Sequence, residues 1–519
     1  MKKKDEHLAE AFFKSLKNKT SHFPIVDYGF PDPFRCSSKK LLLLSLKLAI
    51  QIRKSSKSKR VGIVLPPGLA GTIANLGVFF SGKVPVNLNF SLGPTITQKL
   101  IVKAEIETII TAQKMMDKFP LFPWTADVLE ISSWLKNLAN QPYRLVVEFL
   151  LLLLPYSLSR MLFRIPSTIL SKEATLLFTS GSSGEPKGVV LTHQNILSNC
   201  RQINQLALFG RDAKILANLP LFHSFGFTVA TCFPLLYKIP IVCLPSPFEV
   251  KRGLEAICEE KVTFLLGTPT FLRGFLSKGK KEQFDSLRYV VAGAEKSSDS
   301  FKEKWEDFAS CSYLEGYGLT ETSPGISFNL PGTASRKGSV GRLFSEIECK
   351  TIHPESLADL KFGQSGLLCF RGPNVFGGYL NDQAKTEEVL TKDKWFITGD
   401  LGYLDQDKFL FIEGRLSRFS KIGGEMVPHV TIEESIEEIL AQEKGKECNL
   451  VIIGQPDEAK GEQLILVIEQ EINFADLRRE LTEKGLPNLW IPKKYQLVNE
   501  IPILSTGKID FQEVKNLIE

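Results

Sequence analysis

Histidine is scarce in this chain of 519 residues, with six copies, and its nine cysteines never form a C-x-x-C pair. Without clustered thiolate and imidazole ligands, neither a zinc site nor a disulfide framework is expected, and a reducing cytoplasm suits the thiols. An uninterrupted apolar run of about 20 residues, the length that spans a bilayer, is also missing. The nearest approach, LVVEFLLLLLPYSLSRMLF over residues 145–163, is broken by Glu148, Pro155 and Arg160. It reads either as a buried helix or as an amphipathic helix docking on a lipid surface. The basic start MKKK leads into charged DEHLAE, so no signal peptide is read there. Internal repeats and low-complexity blocks are absent.

Nor is there a strong charge imbalance. The net charge is +6, and the basic run RKSSKSKR (Arg53–Arg60) reads as solvated surface, so no nucleic-acid partner is expected. A cytoplasmic location is expected, at most peripheral at the inner membrane face. With 43% hydrophobic and 24% charged residues, the chain has the composition of an ordinary globular protein of more than one domain.

What is present is an alternation. Short Val/Ile-rich runs, RVGIVLPPG, KVPVNLNF, KILANLPLF, IPIVCLP, VTFLLGTPTF and LRYVVAGAE, are separated by longer helical patterns, which predicts α/β layers with largely parallel sheets. After about residue 330 the texture changes to short strands and Gly/Pro turns, as in SGLLCFRGPNVFGGYL and WFITGDLGYLDQDKFLFIEG, and suggests a small β-rich subdomain. The last hundred or so residues combine the amphipathic VTIEESIEEILAQ with NLVIIGQ and QLILVIE, a compact α+β unit. The expected fold is thus α/β: a large N-terminal domain (1–413) of two α/β subdomains plus a small β-rich subdomain, followed by a mobile α+β C-terminal lid (414–519).

One stretch carries chemistry on its face: FTSGSSGEPKGVVLTH, Phe178–His193. Gly181, Gly184 and Gly188 let backbone N–H groups approach a ligand, Thr179, Ser180, Ser182 and Ser183 add hydroxyls, and Lys187 adds a cation. Several convergent donors and a cation suit a polyphosphate. It is not a Walker loop, because Pro186 stands where that pattern needs glycine before the lysine. Buried-strand patterns on both sides, EATLLF and GVVLTH, argue against a flexible linker.

In order along the chain stand FTSGSSGEPKGVVLTH, LPLFHSFG, YGLTETSP, KGSVGR, WFITGDLG, EGRLSRFSKIGGEMV and IPILSTGKI. This set resembles the acyl-adenylate-forming superfamily of acyl-CoA synthetases, adenylation domains and luciferases, over nearly the whole chain. Within it, AGAEK and RFSKIGGEMVPHVTIEE look most like acyl-acyl carrier protein synthetases. The resemblance implies ATP and Mg²⁺ as cofactors and a fatty acid as substrate. It also implies two steps, formation of acyl-AMP with release of pyrophosphate and transfer of the acyl group to a phosphopantetheine thiol. Acyl carrier protein is the expected acceptor, with CoA as the alternative. A non-catalytic acyl- or nucleotide-binding relative would lack Glu321, Asp400 or Lys508, and all three are present.

By the same resemblance, Tyr317 lies on the adenine face, Thr320 on the phosphates and Glu321 on Mg²⁺. Asp400, after a β-like run and before a turn, accepts from the ribose hydroxyls, and Arg415 meets ribose or phosphate. Lys508 bridges the α-phosphate and carboxylate during adenylation, and Lys421 with Gly423 and Gly424 serves the thioester step. His223 stands at the mouth of the acyl pocket, with Phe225, Phe227, Thr268 and Ala294 as wall residues. Amino-acid-activating relatives carry an aspartate near His223 to pair the substrate ammonium; this chain has none there, which suits an unsubstituted acyl chain. At the hinge Ser417 and Arg418 depart from the family pattern, and Arg418 with Lys421, Lys493 and Lys494 forms a candidate docking face for an acidic carrier protein. HFPIVD, His22–Asp27, matches the H-x-x-x-x-D pattern of glycerolipid acyltransferases, but two fixed positions carry little information.

Overall fold

The computed structural model describes residues 7–17, 24–139, 154–167, 172–179, 186–332, 336–423, 425–444, 449–457, 461–504 and 509–518. Its chain divides into two compact units. The first takes residues 1–335, 343–347 and 371–390; the second takes 336–342, 348–370 and 391–519.

The Val/Ile-rich runs of the first unit become strands buried on both faces. Its largest sheet runs, neighbour by neighbour, Gly325–Phe328, Ser312–Gly318, Tyr289–Ala292, Phe264–Gly267, Ile215–Ala217, Ile241–Cys243, Ile25–Asp27 and Phe34–Cys36. From Ser312–Gly318 to Ile25–Asp27 every pairing is parallel. Such strands need cover on both sides. Val26, Leu216, Val242, Leu265 and Val290 share a core with Phe275, Phe284 and Trp305 from the intervening helical segments. A second, wholly parallel sheet orders Val84–Asn87, Arg60–Val64, Thr108–Thr111 and Asp127–Glu130. These are the two α/β subdomains expected from the sequence.

The second unit holds a four-stranded sheet ordered Glu348–Ile352, Gly366–Arg371, Phe396–Leu404 and Leu410–Arg415, antiparallel across its last three strands. It also holds the hairpin Phe419–Ile422/Glu425–Pro428, a sheet of Leu450–Asp457, Gly461–Ile468 and Lys494–Leu497, and the helices His429–Lys444 and Phe474–Glu483. Ile432, Ile436, Ile452, Leu466 and Leu477 close the α+β core. The 413/414 boundary drawn from sequence lies within the strand Leu410–Arg415.

Two local expectations change. The stretch SGLLCFRGPNVFGGYL, read as one β-rich piece, divides between the units at residues 370 and 371. Its second half is stitched to the strand Lys187–Thr192 by an antiparallel bridge between Val189 and Tyr379 and by Leu380 N–H donating to the Gly188 carbonyl at 2.8 Å. Asp27, the described end of the acyltransferase-like pattern, is buried and accepts from the backbone N–H groups of Leu69 (2.7 Å) and Gly29 (2.8 Å). It thereby satisfies an otherwise unpaired donor at the start of the helix Leu69–Ser81, a structural role. His22 lies outside the described residues.

Candidate active site

In the first unit the Ser/Gly-rich loop joins the antiparallel strands Glu173–Thr179 and Lys187–Thr192, with Thr179 paired to Lys187 at its base. Both strands are held from below: Thr175 Oγ1 donates to the Pro85 carbonyl at 2.8 Å, and Thr192 caps the following helix His193–Gln205 in a reciprocal bond with Asn195. The loop ends are therefore fixed, as expected for a ligand cradle and not for a linker. Ser180, Gly181, Ser182, Ser183 and Gly184 lie outside the described residues.

Lys187 places its ammonium 5.3 Å from the centre of the Tyr379 ring. The Tyr379 hydroxyl in turn donates to Glu321 Oε1 at 2.8 Å. Glu321 sits on the short 3-10 turn Thr320–Thr322, whose backbone is clamped by a fully buried amide: Asn374 Nδ2 donates to the carbonyls of Thr322 (2.7 Å) and Gly325 (2.8 Å). The Glu321 carbonyl also accepts from Phe376 N–H at 2.8 Å. Tyr317 lies at the end of the strand Ser312–Gly318, where the register with Gly325–Phe328 shifts.

Thr320 meets the next motif directly, its hydroxyl 3.4 Å from Ser224 Oγ. His223, beside Ser224, is half-buried and precedes a π-helical segment, Phe225–Cys232. Irregular helical turns of this kind recur at functional sites. Here glycine permits it: a Cβ on Gly226 would stand 2.2 Å from the Pro220 carbonyl oxygen. Phe225 and Phe227 are buried, and the Phe227 ring packs 6.4 Å from that of Phe79. Thr268 is buried and caps the helix Pro269–Lys278 through Phe271 N–H; Ala294 is half-buried with φ +73°. Thr179, Lys187, Thr320, Glu321 and His223 are thus linked through pairings, hydrogen bonds and sequence neighbours within one unit.

In the second unit Asp400 is buried and accepts from Arg415 Nε at 2.9 Å, the two being register partners across adjacent strands. Asp400 does not precede a turn. It lies inside the strand Phe396–Leu404, and Gly399 at φ +77° supplies the left-handed backbone that ordinary residues avoid. Lys421 is exposed, its ammonium 2.9 Å from Glu355, which holds the Glu355 carboxyl below its usual range. Gly424 and Lys508 lie outside the described residues.

Arg418 requires a correction. Its guanidinium is not a solvated docking group: it donates to the Ile452 carbonyl at 2.7 Å, pairs with Glu433 and lies 4.2 Å over the Phe511 ring. Glu433 also accepts from Ile452 N–H at 2.6 Å, so both side chains are half-buried and committed to the α+β core. Ser417 lies just before it, in the short turn Leu416–Arg418.

The donor set at Glu321 fits Mg²⁺. That ion takes one or two carboxylates, retained waters and substrate phosphates in preference to an all-protein cage, and no group of three His, Cys, Asp or Glu side chains suited to a metal occurs among the described residues. Tyr379 and Asn374 are the site residues the sequence did not disclose. Both lie more than 50 positions from the turn they hold, on a stretch whose only local signal is a Gly-rich bend.

In the first unit a Ser/Gly-rich loop on a hairpin stands with a carboxylate turn, and in the second a buried Asp400 carboxylate pairs with a half-exposed Arg415 guanidinium, features in keeping with an adenylate-forming enzyme. The family model for AMP-binding enzymes matches residues 19–380, and the chain belongs to that family. It is 27% identical over 532 residues to the long-chain-fatty-acid–CoA ligase of Bacillus subtilis, across 95% of this chain and 94% of that one. It is 31% identical over 360 residues to probable 4-coumarate–CoA ligase 3 of Dictyostelium discoideum, across 67% of this chain and 64% of that one. Among solved structures, ATP-bound MatB from Rhodopseudomonas palustris superposes with a TM-score of 0.84 at 23% identity over 98% of each chain. The o-succinylbenzoate CoA synthetase of Bacillus subtilis with ATP and magnesium gives 0.80 at 21% identity, over 98% of this chain and 99% of that one. At those identities the likeness establishes the fold. The relatives named here are CoA ligases, which fits the CoA alternative better than the carrier-protein acceptor expected from AGAEK and RFSKIGGEMV.

Proposed function

We propose that this protein is an AMP-forming fatty acid–CoA ligase. The observation that carries the reading is the hairpin loop between Thr179 and Lys187, fixed at both ends, with Lys187 and the Glu321 turn joined through Tyr379. In the first step a fatty acid carboxylate oxygen attacks the α-phosphorus of ATP and pyrophosphate leaves. The loop N–H and hydroxyl groups of Thr179–Gly184 and Lys187 bind the β- and γ-phosphates, and Thr320 donates to phosphate oxygen. Glu321 would hold Mg²⁺, which neutralises phosphate charge when bound. Tyr317 stacks on adenine, Asp400 and Arg415 take the ribose, and Lys508 stabilises charge developing between the carboxylate and the α-phosphate. In the second step the CoA sulfur attacks the acyl carbonyl and AMP leaves; Lys421, Gly423 and Gly424 serve the thiol. The apolar neighbours of His223 in LPLFHSFG, a stretch without Asp or Glu, favour an unsubstituted acyl chain.

Residues 414–519 act in this reading as a lid to the 1–413 domain. The helix Tyr156–Leu162 exposes Leu158 (45%), Met161 (71%) and Leu162 (51%) near the exposed Arg164, Arg160 being paired with Glu10 at 3.0 Å; the exposed apolar groups with one adjacent cation support peripheral contact with an anionic lipid surface. No helix among the described residues is long and apolar enough to cross a membrane.

The test is pyrophosphate release across a fatty acid panel, with thioester yield compared at equal concentrations of CoA and holo acyl carrier protein. Preferential CoA thioester is expected. Thioester on the carrier protein alone would replace CoA as the acceptor, and no release with any fatty acid would refute the ligase.

A further inference from the structure

Tyr379 belongs to none of the motifs that carry the chemistry, yet it touches two of them. It is buried, and its backbone is fixed on three sides: the bridge to Val189, the Leu380 N–H bond to Gly188, and its own N–H donating to Thr386 Oγ1 at 2.9 Å. The Phe376 ring packs against it edge-on at 5.0 Å. Held this way, the ring can offer its face to the Lys187 ammonium at 5.3 Å while its hydroxyl reaches Glu321 Oε1 at 2.8 Å. The long side chains of Lys187 and Glu321 are thereby both referred to one held ring. An aromatic face attracts a cation, and a hydroxyl bonded to a carboxylate fixes its rotamer and leaves the other oxygen to a metal.

We propose that Tyr379 is the positioning residue that sets the spacing between the phosphate-binding cation and the metal-binding carboxylate. This inference rests on the adenylate-forming reading above and adds a residue to it. The two contacts are chemically separable. Tyr379→Phe removes the Glu321 tether and keeps the ring under Lys187; Tyr379→Leu removes both.

Calorimetric binding of Mg·ATP and of ATP in excess chelator, with no fatty acid present, tests the proposal without turnover. Tyr379→Phe is expected to weaken Mg·ATP binding about tenfold, the worth of one hydrogen bond to a charged group, and to leave metal-free ATP binding unchanged. Tyr379→Leu is expected to weaken metal-free ATP binding severalfold as well, by loss of the cation–ring contact. In a Glu321→Ala background Tyr379→Phe is expected to have no further effect. In turnover, Tyr379→Phe should raise the Mg²⁺ concentration for half-maximal activity, restore near wild-type kcat at saturating Mg²⁺, and leave the fatty acid KM unmoved. Equal weakening of both ATP forms by Tyr379→Phe, or an undiminished effect in the Glu321→Ala background, would overturn the proposal. Wild-type protein that binds no ATP under either condition would instead refute the adenylate-forming reading itself.

Discussion

Arg418→Ala removes a cation from the interior of the α+β unit. The guanidinium pairs with Glu433, donates to the Ile452 carbonyl at 2.7 Å and covers the Phe511 ring at 4.2 Å, with 12% of its side chain exposed and 16% of Glu433's. Truncation leaves a half-buried carboxylate and the buried Ile452 carbonyl without that donor; breaking a fully buried pair costs about 3–5 kcal/mol, and partial exposure puts this one at the lower end, about 3 kcal/mol. Burial already pushes the Glu433 carboxyl up, while Arg418 and the Ile452 N–H hold it down. Without Arg418, Glu433 is expected to take up a proton on folding more readily, which relieves part of the cost. A folded carboxyl raised above its unfolded value stabilises increasingly as pH falls, so the Arg418→Ala deficit should shrink from pH 7 to pH 5. The assay is urea unfolding at both pH values, with the double variant Arg418→Met/Glu433→Leu as control; it removes both charges and should restore only part of the loss, because the Ile452 N–H and carbonyl then lack these partners. An Arg418→Ala deficit below ~0.5 kcal/mol, within the range of ordinary surface substitutions, would refute the reasoning. If that variant also slowed acylation of carrier protein selectively, the docking role would return.

Three further outcomes are expected. Lys508→Ala should lower adenylation by about 10²–10³ and leave thioester formation from supplied acyl-AMP within about twofold; an equal fall in both steps would contradict the division of labour between Lys508 and Lys421. The rings of His7 and His193 lie 3.6 Å apart centre to centre, tilted by 40°, and burial lowers His7 to about 4 and His193 to about 3 from 6.5. Depressed folded values mean that stability is complete above pH 6.5 and lost as pH falls toward 4 and 3, so His7→Phe should flatten the stability–pH curve over that interval, and an unchanged curve would rule the pair out. Finally, Met161→Glu/Leu162→Glu should abolish sedimentation with phosphatidylglycerol vesicles, whereas wild type binding equally to phosphatidylcholine vesicles, or to neither, would dismiss electrostatic docking.

The layers of this fold are legible because strands such as VGIV, IVC, FLLG and YVVA are buried on both faces, and burial of that kind leaves an apolar run in the sequence. The hairpin around the phosphate-type loop is legible for the same reason. Nothing local marks Arg418 as withdrawn from solvent, because its partners Glu433 and Ile452 lie 15 and 34 positions away. TGDLG has the look of a turn, yet pairing of Asp400 with Arg415 keeps it in the sheet despite the left-handed Gly399 and the register shift on the other side. Tyr379 and Asn374 act only through tertiary contacts with a turn far along the chain, and no periodicity or spacing encodes that.

In the proposed function this chain activates a fatty acid as its adenylate. Incorporation of labelled pyrophosphate into ATP, measured without any thiol acceptor, isolates that step. The expected result is exchange that requires both a fatty acid and Mg²⁺ and disappears in Glu321→Ala. Exchange that proceeds without fatty acid, that responds only to amino acids, or that is absent across all chain lengths would contradict it.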